Sequence, residues 1–131
     1  MAVVLVAMMA FAVQSCGSDN DDNEAYKLNV SLKIEDKGLM TTEESQTMIM
    51  SAEKMTQVAN HPSDFSAEQA TKTVAEGVYN LLRSSNQAFG NAVFTYTFAC
   101  TKVNGGKQIV TYYVTFDKGS VGIYNNKNNI Q

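Results

Sequence analysis

The sequence predicts an α+β domain, a two-layer sandwich with two helices packed on one face of a mainly antiparallel sheet of three to four strands. Three observations predict it. An alternating apolar and polar run opens the polar part of the chain, two apolar stripes at helical spacing follow, and two runs rich in Val, Thr, Tyr and Phe flank Asn104-Gly105-Gly106. The expected order is β-α-α-β-β, with room for a short last strand.

In the first strand Tyr26, Leu28, Val30, Leu32 and Ile34 alternate with Lys27, Asn29, Ser31, Lys33 and Glu35, the period of two of a sheet with one buried face. Asp36-Lys37-Gly38 ends it. Thr41 followed by Glu44 has capping-box spacing, and Met48, Ala52, Met55 and Ala59 recur on one helical face, widened by Ile49 and Val58. The first helix is therefore expected from Thr42 to about Ala59. Asn60-His61-Pro62-Ser63 breaks it, because Pro62 lacks an amide hydrogen and restricts the residue before it. Ser66 with Gln69 repeats the capping-box spacing, with Phe65 and Ala70 placed as a hydrophobic staple. Ala70, Val74, Val78, Leu81 and Leu82 make the stripe of a second helix running to about Ser85.

The hairpin register follows from side-chain class. A three-residue loop places Phe94 opposite Phe116, Tyr96 opposite Val114, Phe98 opposite Tyr112 and Cys100 opposite Val110, so that one face is wholly apolar or aromatic. The other face then pairs Thr95 with Thr115, Thr97 with Tyr113, Ala99 with Thr111 and Thr101 with Ile109. A two-residue loop would mix the two classes. Ser120–Tyr124 is the short last strand, and the Asn-rich end reads as a frayed tail.

Composition narrows function by exclusion. All ten basic residues and nine of the thirteen acidic ones lie from Lys27 onward, so the domain is nearly neutral and the net charge of −3 comes from the segment before it. With no basic stripe and no basic amphipathic helix, neither nucleic acid nor an anionic membrane surface is an expected partner of the fold.

Before the domain lies a different kind of segment. Residues Met1–Val13 are apolar without a break, shorter than the roughly 20 residues that span a bilayer and of the length of a signal-peptide core. The run ends in Val13-Gln14-Ser15-Cys16, and Gly17-Ser18-Asp19-Asn20-Asp21-Asp22-Asn23-Glu24 follows. The first motif resembles the lipobox of bacterial lipoproteins. The second is similar to the acidic stretch after the lipidated cysteine of surface-exposed lipoproteins in Bacteroidetes-type bacteria. The resemblance implies cleavage before Cys16, lipid on its sulfur, membrane attachment through that lipid, and an export role for Ser18, Asp19, Asp21, Asp22 and Glu24. The expected division is a signal peptide at 1–15, a lipidated cysteine and flexible tether at 16–25 holding the domain off the membrane, one domain at 26–124 and the tail at 125–131.

No residue pattern points to catalysis, a metal or a cofactor. His61, Asp64 and Ser66 supply triad residue types within six positions, but His61 is expected in an exposed loop and the serines as helix caps. Cys100 is expected to be buried and inert. Asp19, Asp21, Asp22 and Glu24 lack the glycine and the spaced glutamate of a calcium loop. What remains is the threonine-rich outer face, where Thr95, Thr97, Thr111, Tyr113 and Thr115 could hydrogen-bond and stack on a flat polar polymer such as a glycan. The expectation is a non-enzymatic binding or interaction module on the outer membrane, facing the cell surface. The alternatives are a periplasm-facing inhibitor or assembly factor that uses a sheet edge and, last, a hydrolase.

Overall fold

A computed structural model describes residues 23–127 and the backbone of 129–130. Val13–Cys16 and the acidic residues Asp19, Asp21 and Asp22, with Ser18, lie outside the described residues. The described chain is an α+β two-layer sandwich. Strands β1 (Glu24–Asp36), β2 (Gln57–His61), β3 (Val93–Lys102), β4 (Gln108–Asp117), β5 (Ser120–Asn125) and β6 (Asn129–Ile130) form one antiparallel sheet in the order β2-β1-β3-β4-β5-β6. Helices α1 (Thr42–Lys54) and α2 (Asp64–Ser84) cover the same face, α1 against β1 and α2 against β3, β4 and β5.

The sheet is wider than three to four strands, for a local reason. The first helix stops at Lys54 instead of reaching Ala59, and Gln57–His61 pairs with Glu24–Leu28 as β2. Val58 and Ala59 fit the helical stripe on paper, but a β-branched residue also suits a strand, and only the waiting edge of β1 decides between the two. Thr56 steers the crossing: its hydroxyl accepts from the Val30 amide at 2.9 Å. Glu24, expected in the tether, is the first residue of β1, since its backbone pairs with His61.

The capping box at α1 forms as the spacing predicts. The Glu44 amide donates to the Thr41 hydroxyl at 3.0 Å and the Thr41 amide donates to the Glu44 carboxylate at 2.9 Å. That contact holds the Glu44 carboxyl below its usual range. At α2 the cap is Ser63, whose hydroxyl accepts from the Ser66 amide at 3.1 Å, so the cap lies three residues before Ser66 and the helix begins at Asp64. The hydrophobic staple is lost with it, and Phe65 lies 70% exposed in the first turn.

The core is the apolar face of the hairpin closed by small helix residues. Phe94, Tyr96, Phe98, Cys100, Val110, Tyr112, Val114 and Phe116 are buried beneath Ala67, Ala70, Val74, Ala75 and Val78 of α2. Phe94 stacks on Phe116 at 4.9 Å between centroids, and Phe89, from the 3-10 turn Asn86–Phe89, meets both edge-on. The predicted register holds from Phe94 opposite Phe116 to Cys100 opposite Val110. It then shifts: Thr101 pairs with Gln108, not Ile109, and the Lys102 amide donates to the Lys107 carbonyl across a five-residue loop. This bulge lets Ile109 be buried, where an unbroken register would have placed it beside Thr101 on the wet face.

The chain end is less frayed than expected. Asn125 closes β5, Lys127 bridges to Glu68 at 2.9 Å, and Asn126 exchanges bonds with Thr111.

Candidate functional site

The sheet face turned away from the helices carries the residues singled out from the sequence, and the strand register places them in rows. One row runs Lys33, Thr95, Thr115, Gly122 across β1, β3, β4 and β5; the next runs Ser31, Thr97, Tyr113, Tyr124. Strand alternation brings them to this face, since each is the odd neighbour of a buried core residue. Thr95, Thr97, Tyr113 and Thr115 are half-buried, while Ser31, Lys33 and Tyr124 are exposed.

Tyr113 and Tyr124 stack as cross-strand neighbours, with centroids 5.1 Å apart and planes 25° from parallel. Beside them the Thr115 hydroxyl packs against Gly122: a Cβ there would stand 3.3 Å from it, tighter than ordinary contact. At the other end of the row, Lys33 and Glu35 form an exposed ion pair at 3.2 Å. The result is an aromatic pair flanked by hydroxyls on a broad sheet face, suited to stacking on and hydrogen-bonding a flat polar ligand. Ser31 stands beside the threonine rows as expected of the outer face, though it was not singled out; Tyr124 and Gly122 were missed as site residues, because their neighbourhood depends on which strand lies beside β4. The signal for Tyr124 was present in the alternation of Ser120–Tyr124.

Thr111 does not belong to this platform. It is 4% exposed, its hydroxyl accepts from the Gln108 side-chain amide at 2.8 Å, and its backbone amide donates to the Asn126 side-chain Oδ1 at 3.1 Å. A threonine already hydrogen-bonded and covered contributes to the sheet margin, not to a ligand.

The His61 region differs from expectation. His61 is fully buried at the end of β2, not in an exposed loop, and its ring meets Tyr26 edge-on at 5.6 Å. Its Nδ1 lies 3.4 Å from the Ser66 hydroxyl, beyond the usual range of a strong hydrogen bond. Asp64 accepts from the Tyr26 hydroxyl at 2.7 Å and from the Lys107 ammonium at 2.9 Å. The Tyr26 bond first and Lys107 second hold the Asp64 carboxyl below its usual range; burial and Asp64 push the Tyr26 phenol up. This cluster ties the start of β1, the start of α2 and the hairpin tip together.

Cys100 is fully buried, and burial raises its thiol pKa, which disfavours the reactive thiolate. Among the described residues no group of three or more His, Cys, Asp and Glu could hold a metal ion, and no helix is long and apolar enough to cross a membrane. Comparison with protein-family models, with curated proteins and with solved structures finds no match to this chain.

Proposed function

We propose that this chain is an exported, lipid-anchored envelope protein whose domain is a non-enzymatic binding module, with the platform of Ser31, Thr95, Thr97, Tyr113, Thr115 and Tyr124 as its ligand surface. The observation that carries the reading is the Tyr113–Tyr124 stack beside the hydroxyls of Thr95, Thr97 and Thr115, on a sheet face that neither helix covers. The ligand class it fits is a glycan, whose ring faces stack on aromatics while its hydroxyls meet short hydroxyl side chains. The apolar leader, Cys16 and the acidic stretch after it support the address.

Two experiments test this. Binding to immobilised polysaccharides is expected for the full protein and is expected to be lost in Tyr113→Ala, with the fold unchanged by circular dichroism; equal binding by Tyr113→Ala would remove the platform from the account. Protease treatment of intact cells carrying a tagged protein is expected to cleave it, and neutralising Asp19, Asp21, Asp22 and Glu24 is expected to protect it. Protection of the native protein in intact cells would point inward.

That outcome would favour a second reading, an inhibitor or assembly factor facing the periplasm, for which β2 provides the observation. It is an edge strand of five uncharged residues with Val58 59% exposed, and such an edge can take up an extended segment of a partner. A pull-down dominated by one envelope protein and abolished by Val58→Pro would select it.

A further inference from the structure

We infer that the end of the domain where β1 begins rests against the lipid bilayer, with Phe65 and Val103 entering the headgroup region; this builds on the reading that Cys16 carries lipid. Backbone pairing defines that end. Glu24 pairs with His61, Tyr26 with Lys102, and the Val103 amide donates to the Ala25 carbonyl at 2.9 Å. The Lys107–Asp64 bridge at 2.9 Å then holds the hairpin tip against the first turn of α2. Two separate projections, the first turn of α2 and the tip at 103–107, therefore stand side by side where the chain enters the domain.

Each projection exposes a large apolar side chain, Phe65 at 70% and Val103 at 52%. Neither has a packing role that explains its identity. Phe65 would have been a staple had Ser66 capped the helix, but with Ser63 as the cap it sits in the first turn pointing to solvent. Val103 lies in the loop past the last residue of β3. Lys102 precedes it, and such a side chain lays its aliphatic stem along apolar surface while its ammonium group reaches phosphate; the Lys107 ammonium is held by Asp64.

The occupant follows from chain length. Seven residues, Gly17–Asn23, separate Cys16 from the start of β1. A stretch of that length reaches at most about 25 Å, so this end stays close to the surface that holds the lipid. An anchored domain meets that surface at high effective concentration, and a weak partition of two side chains becomes a lasting orientation. Leu39, in the loop after the opposite end of a 13-residue strand, is also exposed but is carried about 40 Å away.

The test uses the full chain, produced with its leader, purified from membranes and reconstituted in vesicles of phosphatidylethanolamine and phosphatidylglycerol. An environment-sensitive fluorophore is attached in turn to Phe65→Cys, Val103→Cys and Leu39→Cys, Cys100 being buried. The inference expects blue-shifted emission and quenching by headgroup-labelled lipid at positions 65 and 103, and neither at 39. Protein that floats with the vesicles but gives three equal, unquenched signals overturns the orientation and leaves the anchor intact. Protein that fails to float, with Cys16→Ala behaving the same, overturns the anchor and the orientation with it.

Discussion

The two faces of the β3–β4 hairpin are built from the same residues in alternation, yet they do different work. On the inner face the aromatic rings fill the space between sheet and helices, and every one from Phe94 to Phe116 is buried. On the outer face, offset by one residue, Thr95, Thr97, Tyr113 and Thr115 are half-buried and free of the helices. The contrast teaches that a one-residue change of position along a strand separates stability from availability for a ligand. Substitutions on the first face should be read by denaturation, those on the second by binding.

The sharpest way to break the comparison is Phe98→Ala. The ring is fully buried beside Tyr96, and its removal is expected to cost about 3–5 kcal/mol in chemical denaturation. Thr97→Ala, its neighbour on the outer face, is expected to cost well under that and to weaken ligand binding instead; similar losses of stability from both would falsify the division between faces.

A smaller effect sharpens the boundary of α2. Ser63→Ala is expected to cost about 1 kcal/mol in thermal unfolding, because the Ser66 amide loses its acceptor, whereas Ser66→Ala leaves the cap in place and should cost less. The reverse order would restore the later helix start.

Tyr96 tests the inner face from another side. Its hydroxyl is buried with no hydrogen-bond partner among the described residues, and burial pushes its phenol up. Tyr96→Phe removes an unmet polar group while keeping the ring, and is expected to leave stability unchanged or raise it by up to about 1 kcal/mol. A clear loss would reveal a partner for the hydroxyl.

The smallest effect concerns acid. The Asp64 carboxyl is held below its ordinary value of 3.8, so its contacts with Tyr26 and Lys107 add stability above that value and lose it as pH falls through the lowered folded-state range. Asp64 is partly exposed, so solvent screens the gain. Stability followed from neutral pH down to below pH 3.8 should fall less steeply in Asp64→Asn than in the native protein; identical slopes would detach Asp64 from acid stability.

Local pattern alone determined much of this domain. Alternation marks the buried face of β1, class matching fixes the hairpin register up to Cys100, and Thr41 with Glu44 announces the start of α1, since each depends only on near neighbours or on one short turn. The platform was legible only in part: Thr95, Thr97, Tyr113 and Thr115 lie on the wet face as the alternation requires, but Thr111 is covered and Tyr124 and Ser31 join from flanking strands. Tertiary structure decided the burial of Thr111. Residues 57–59 could satisfy a helical stripe or a strand, and the open backbone of β1 chose the strand. His61 moved from a presumed loop into the interior for the same reason, and Phe65 lost its staple because Ser63, not Ser66, meets the first free amides of α2. At β2 the local sequence offered two nearly equivalent arrangements, and hydrogen-bonding groups distant along the chain decided between them, because an unpaired strand edge must find partners for its backbone.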